Sequence, residues 1–133
     1  MKKILFALAL LSMGVCAWAA EKDASASGEL PHKNSLEAKV YRGSIVFQYY
    51  CALCHGVNGD GNGRTARLYK PKPANLIMSD KNDAYKELII RRGGEAIGRS
   101  SFMPPWGNEL TDEQIADVVA FLRSIRSPTV EVK

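Results

Sequence analysis

The chain has 133 residues, enough for one domain and too few to hold two comfortably. It carries 18 basic and 14 acidic residues, and without Lys2 and Lys3 at the start the balance is 16 to 14. A net charge this small gives no support to nucleic acid as a partner, or to a membrane surface held by charge alone.

The first segment has the build of an export signal. Lys2 and Lys3 are followed by an almost unbroken apolar run from Ile4 to Val15, and Ala17-Trp18-Ala19 then sets small residues at the −3 and −1 positions. The expected signal peptide is 1–19, removed after Ala19, which makes the protein periplasmic and leaves no permanent membrane anchor. The rival, a retained anchor, suffers from a run that is short for a membrane span. A lipid-modified Cys16 is disfavoured by the bulk of Val15 before it. With the signal gone the mature chain keeps Cys51 and Cys54 alone. Residues 20–34 are small, polar and of mixed charge, a flexible leader in which His32 is taken as solvated.

A helix is expected from Asn34 or Ser35, either of which can cap it, with Val40, Gly43, Ser44, Phe47 and Cys51 at helical spacing. Gly56, Gly59, Gly61 and Gly63 then mark a loop that turns tightly beside the cofactor proposed below, and Pro71 and Pro73 prolong irregular backbone. A second helix is expected over Asp83 to Arg92, with Tyr85, Leu88 and Ile89 inward and Gly93-Gly94 as its stop. A loop over 95–108 contains Met103-Pro104-Pro105-Trp106. The last helix has a capping box of Thr111 and Gln114, a staple of Leu110 on Ile115, and a stripe of Ile115, Val118, Val119, Leu122 and Ile125 with Phe121 beside it; Pro128 is expected to end it. No alternating strand pattern is present, so the domain, 35–128 with a tail of 129–133, should be all-α.

The chemistry lies in Cys51-Ala52-Leu53-Cys54-His55. Two thiols separated by two residues match the spacing of two haem vinyl groups, to which each adds as a thioether, and the histidine that follows lies under the iron. Other uses of the pair fit less well. A redox dithiol follows a strand, whereas this pair closes a helix. Zinc needs further ligands at suitable spacing, and a mere disulfide leaves His55 unexplained. Asn58, Asp60 and Asn62 open like a calcium loop, but Tyr69 stands where its bidentate glutamate belongs. No Gly-Lys-Ser/Thr follows the glycines to make a phosphate loop. The cofactor expected is one covalent haem c, whose two propionates would bring the net charge near zero.

For the sixth iron position the mature chain offers Met78 and Met103. Two prolines fix the backbone after Met103, and a pre-set loop holds a weak thioether ligand better than a mobile one. Met103 is therefore preferred, with Met78, His32, a lysine or an open site as alternatives.

These residues together resemble the class I, single-haem c-type cytochromes of the bacterial periplasm. The resemblance covers about residues 37–127. It is carried by Gly43 and Phe47, Cys51 to His55, Lys72-Pro73-Ala74-Asn75-Leu76, Ser101 to Trp106, and Phe121 with Leu122. It implies the cytochrome c fold, about three main helices with loops wrapped around one haem, the first and last crossing near Gly43 and Phe121. It implies His55 and Met103 as axial ligands, a carbonyl at Pro73 (or its rival Pro71) accepting from His55, and Trp106 packed near the haem.

The activity so implied is single-electron transfer between a donor and an acceptor protein, without catalysis, since both axial positions are filled. Arg64, Arg67, Lys70 and Lys72 form either a basic rim for acidic partners or a solvated loop. One alternative is a haem enzyme or a sensor of peroxide, NO or CO with a labile sixth ligand; no second histidine near Met103 serves it. Another is a dedicated subunit of a larger oxidoreductase. A large exposed apolar patch would favour that, and none is visible in the sequence.

Overall fold

The computed structural model describes residues 32–132, so the expected signal peptide and most of the leader lie outside the described residues. Among these residues there are helices and no strands. The first helix, α1, runs Leu36–Tyr50. Ser35 rather than Asn34 caps it, its hydroxyl accepting from the Ala38 N–H at 3.2 Å. At Cys51 the chain breaks step and makes one further turn, α2, Ala52–His55. Short 3₁₀ turns at Ala66–Leu68 and Glu95–Ile97 flank α3, Asp83–Arg92, which Asn82 caps through the Tyr85 N–H at 2.9 Å. The last helix, α4, is Asp112–Ser124.

Two expectations about these helices need correction. In α3, Leu88 points to solvent, and Ile90 enters the core in its place. The helix has two inward edges one residue apart: Lys86 and Ile90 beneath the core, Tyr85 and Ile89 along a cavity. Apolar spacing alone does not tell these edges apart. In α4, the helix stops at Ser124, short of Pro128, and the Ser127 N–H turns away to the Ile77 carbonyl at 2.9 Å.

The α4 entry is as the sequence dictates. The Thr111 hydroxyl accepts from the Gln114 N–H at 3.2 Å, the Gln114 amide oxygen accepts from the Thr111 N–H at 2.9 Å, and Leu110 and Ile115 are both buried in the core. The core itself is the seam between α1 and α4, built on Val46 and Phe47 against Ile115, Val118 and Leu122. The helices meet most closely where Gly43 lies on the Asp117 carbonyl, one turn before the crossing expected at Phe121. Phe121 packs on Phe47 instead, with ring centroids 5.2 Å apart. Beside the crossing the Arg42 guanidinium clasps the buried Asp117 carboxylate with two hydrogen bonds, at 2.6 and 3.0 Å. That pair and the glycine fix α1 on α4, and so fix the direction in which α1 delivers Cys51.

Candidate functional site

Helix α1 ends at the mouth of a cavity of about 760 Å³, within the size range of cofactor pockets. Cys51, Cys54, His55 and Met103 all line it. The sequence motif supplies the first three from one turn of chain; Met103 arrives from the loop after α3, some fifty residues later.

The turn that bears the thiols is held from outside. The Gly61 N–H donates to the His55 carbonyl at 2.7 Å, Gly63 to Cys54 at 3.1 Å, and Thr65 to Leu53 at 3.1 Å. The glycine loop that makes these bonds does not border the cavity, contrary to the expectation that it turns beside the cofactor. Its glycines are required by close packing: Gly61, at φ 81°, leaves no room for a Cβ against the Pro73 carbonyl, 2.8 Å away. Within the loop, Asp60 accepts from both nitrogens of Asn62.

This bracing sets the histidine. His55 Nδ1 lies 3.0 Å from the Ala74 carbonyl, one residue beyond the Pro73 expected and well past Pro71. The Pro73 carbonyl is the one packed on Gly61, so only the next is free to accept. As the Nδ1–H donates there, Nε2 keeps its lone pair. Burial pulls the imidazole pKa below its ordinary value, opposed by the bond to Ala74, and the neutral form that a metal requires is favoured. Both cysteines are free thiols. Burial, with the neighbouring Cys54, pushes the Cys51 thiol up to about 12.

Met103 is fixed by backbone alone. Its carbonyl accepts from the Gly94 N–H at 2.9 Å and its N–H donates to Ser100 at 3.2 Å. Trp106 and Gly107 then donate to Ile90 and Arg91 at 2.8 and 3.1 Å, which staples the loop to the end of α3. Trp106 lines the cavity edge-on to Tyr50, centroids 5.4 Å apart. Met78 is 55% exposed and lies off the cavity, and His32 sits exposed ahead of α1. Of the basic cluster, Arg64, Arg67, Lys70 and Lys72 are all exposed, and Lys72 alone reaches the cavity wall.

Sequence reasoning missed several wall residues. Tyr69 stacks on Phe102 at 5.1 Å, and Tyr85 accepts from Arg99 at 3.0 Å. They lie on loops or helix edges without periodicity, and only their aromatic character could have flagged them. It also missed Lys86, 4% exposed, whose ammonium has no hydrogen-bond partner among the described residues. Two thiols, an imidazole with one free nitrogen and a thioether, on one wall system made mainly of aromatic and aliphatic side chains, fit a haem attached through thioethers.

The model of the cytochrome c family matches residues 40–126. Over 88 residues the chain is 32% identical to the cytochrome c subunit of the quinone alcohol dehydrogenase of Gluconacetobacter polyoxogenes, covering 62% of this chain and 18% of that subunit. It is 28% identical to the corresponding subunit of Gluconobacter oxydans, with 61% and 17% covered. Among solved structures it is similar to a chain of the reducing HAO-like protein complex of Kuenenia stuttgartiensis, at 32% identity and a TM-score of 0.54, over 69% of this chain and 47% of that one. The chain thus spans less than a fifth of the length of these curated relatives, and about half of the solved one. The matched residues hold both the α1–α4 seam and the whole cavity wall, and on that ground the chain belongs to the cytochrome c family, with haem c bound covalently through Cys51 and Cys54.

Proposed function

We propose that the protein is a periplasmic single-electron carrier whose haem iron is held between His55 and Met103, and that it is not itself a catalyst. The observation that carries this reading is the convergence of His55 and Met103 on one cavity while Met78 stays outside it. When bound, the haem supplies a one-electron couple, and a thioether facing an imidazole favours its reduced state. The chain's own residues do the rest. The Ala74 carbonyl orients His55, Gly94 and the two prolines hold Met103, and Phe47, Trp106 and Leu122 help keep water from the cavity. With both axial positions occupied by protein, substrate has no place on the iron. The domain proposed for this work is 35–128, after loss of 1–19 and behind a leader of 20–34; a mature N terminus at Ala20, read by mass spectrometry, tests that division.

The test of the carrier is the optical spectrum of the reduced holoprotein, near neutral pH, with and without carbon monoxide. An unchanged spectrum is expected. A prompt shift would mean an open or labile sixth position and put a gas sensor or peroxidase ahead. A second reading, a subunit docked to one oxidoreductase, is favoured by relatives that are named as subunits. No described helix is long and apolar enough to cross a membrane.

A further inference from the structure

The outer face of α1 is not what a freely solvated helix presents. Tyr41, Ile45, Tyr49 and Leu53 follow one another at intervals of four, on α1 and its continuation α2, and each is between 42% and 81% exposed. Four residues at this spacing form one stripe about 18 Å long. Tyr41 and Ile45 stand clear of the haem cavity, so a bound haem does not cover them, while Tyr49 and Leu53 border it. The stripe therefore runs from open surface to the mouth of the redox site. Exposed Leu68 and Phe102 continue the apolar surface there.

Charge around this face is one-sided. Between residues 38 and 79 the chain has six cations and a single carboxylate, Asp60, which is taken up by Asn62. Arg42 is paired with Asp117. Arg64, Arg67, Lys70 and Lys72 are exposed, and none forms an ion pair with a described residue. Thr65 is hydrogen-bonded to Leu53, which brings this cationic loop to the haem end of the stripe. The leader has little with which to cover it: in 20–31 Leu30 is the one large apolar side chain. A second copy seated on the same face would bring the same cations and no free carboxylate to meet them.

We propose that this face is the seat of the protein's electron-exchange partner, a protein that meets it with an apolar patch bordered by carboxylates. The proposal rests on the carrier reading for its purpose. The exchange moves one electron, oxidising one centre as the other is reduced, with no bond made or broken. The apolar stripe supplies lasting contact, and the cations supply orientation and speed of encounter.

The test uses the holoprotein on gold electrodes coated with alkanethiols of one length, ending either in carboxylates alone or in mixed methyl and carboxylate groups. Adsorbed mass and electron-exchange rate are both recorded. Wild type should bind at least tenfold more tightly to the mixed surface. Tyr41→Ser/Ile45→Ser, both far from the haem, should lose that preference while keeping the wild-type haem spectrum and its binding to carboxylates. Arg64→Gln/Arg67→Gln should weaken binding to both. A stripe variant that prefers the mixed surface as wild type does would overturn the proposal. So would sedimentation showing a wild-type dimer that the stripe variant dissolves, since a second copy would then be the occupant. Stripe-dependent binding without electron exchange would uphold the seat and sink the carrier reading.

Discussion

At the scale of single residues, the site depends on where two weak donors are held. A thioether binds iron feebly, so Met103 needs its loop more than His55 needs its own. Met103→Ala should let the reduced protein bind carbon monoxide and should lower the reduction potential, whereas Met78→Ala should change neither. Spectra with the gas and redox titration of the two variants check this. Lys86 is a different case, a charge enclosed without a partner. Burial pulls its pKa below the usual 10.5, with Asp83 opposing and Arg126 and Arg123 adding to the fall. Below the shifted value the ammonium is charged in both states and its burial costs full stability. As pH rises toward 10.5 the folded chain sheds the proton before the unfolded chain does, and stability climbs. Lys86→Met should gain about 1–3 kcal/mol at pH 7 and show none of that climb, as urea titrations from pH 7 to 10 would reveal.

At the scale of elements, two glycines decide how helices and loop fit. A Cβ on Gly43 would strike the Asp117 carbonyl, and backbone cannot step aside as a side chain can. Gly43→Ala should therefore cost more than about 3 kcal/mol and part α1 from α4, seen as a lowered Tm. Gly94 acts more locally. It donates to Met103 and accepts from the Arg99 N–H at 2.8 Å, and a Cβ there would press on the Ser100 carbonyl. Gly94→Ala should loosen the Met103 loop and admit carbon monoxide. Gly98→Ala is the control, since φ 69° carries a strain of about 1 kcal/mol but nothing lies within 4 Å. It should lower stability slightly and leave the iron closed.

At the scale of the molecule, a small net charge conceals a division. The carboxylates other than Asp60 lie at residue 37 and before it, or from Asp80 onward, while the run that delivers the cysteines and the following loop is cationic. A near-neutral protein can thus still present a positive face beside its redox centre. Electron exchange with an anionic reagent such as hexacyanoferrate should slow by about tenfold as ionic strength rises from low to physiological, and Arg64→Gln/Arg67→Gln should remove most of that dependence. Stopped-flow rates over a salt series read this directly.

The helix class, the ends of α3, the capping box of α4 and the haem attachment at Cys51, Cys54 and His55 follow from local chemistry: caps, glycine stops and a five-residue spacing whose meaning does not depend on the rest of the fold. Tertiary structure decided what local chemistry leaves degenerate. It chose the Ala74 carbonyl over Pro73, because Pro73 is already packed on Gly61. It turned Leu88 out and Ile90 in, because α3 has two partners and an apolar period cannot say which edge meets which. It brought Met103 rather than Met78 to the cavity. It also left Tyr41, Ile45 and Tyr49 uncovered, because α1 spends its inner face on α4 and no other described element packs across the outer one. Spacing along a helix shows that side chains share a face; only the packing of distant segments determines what that face meets.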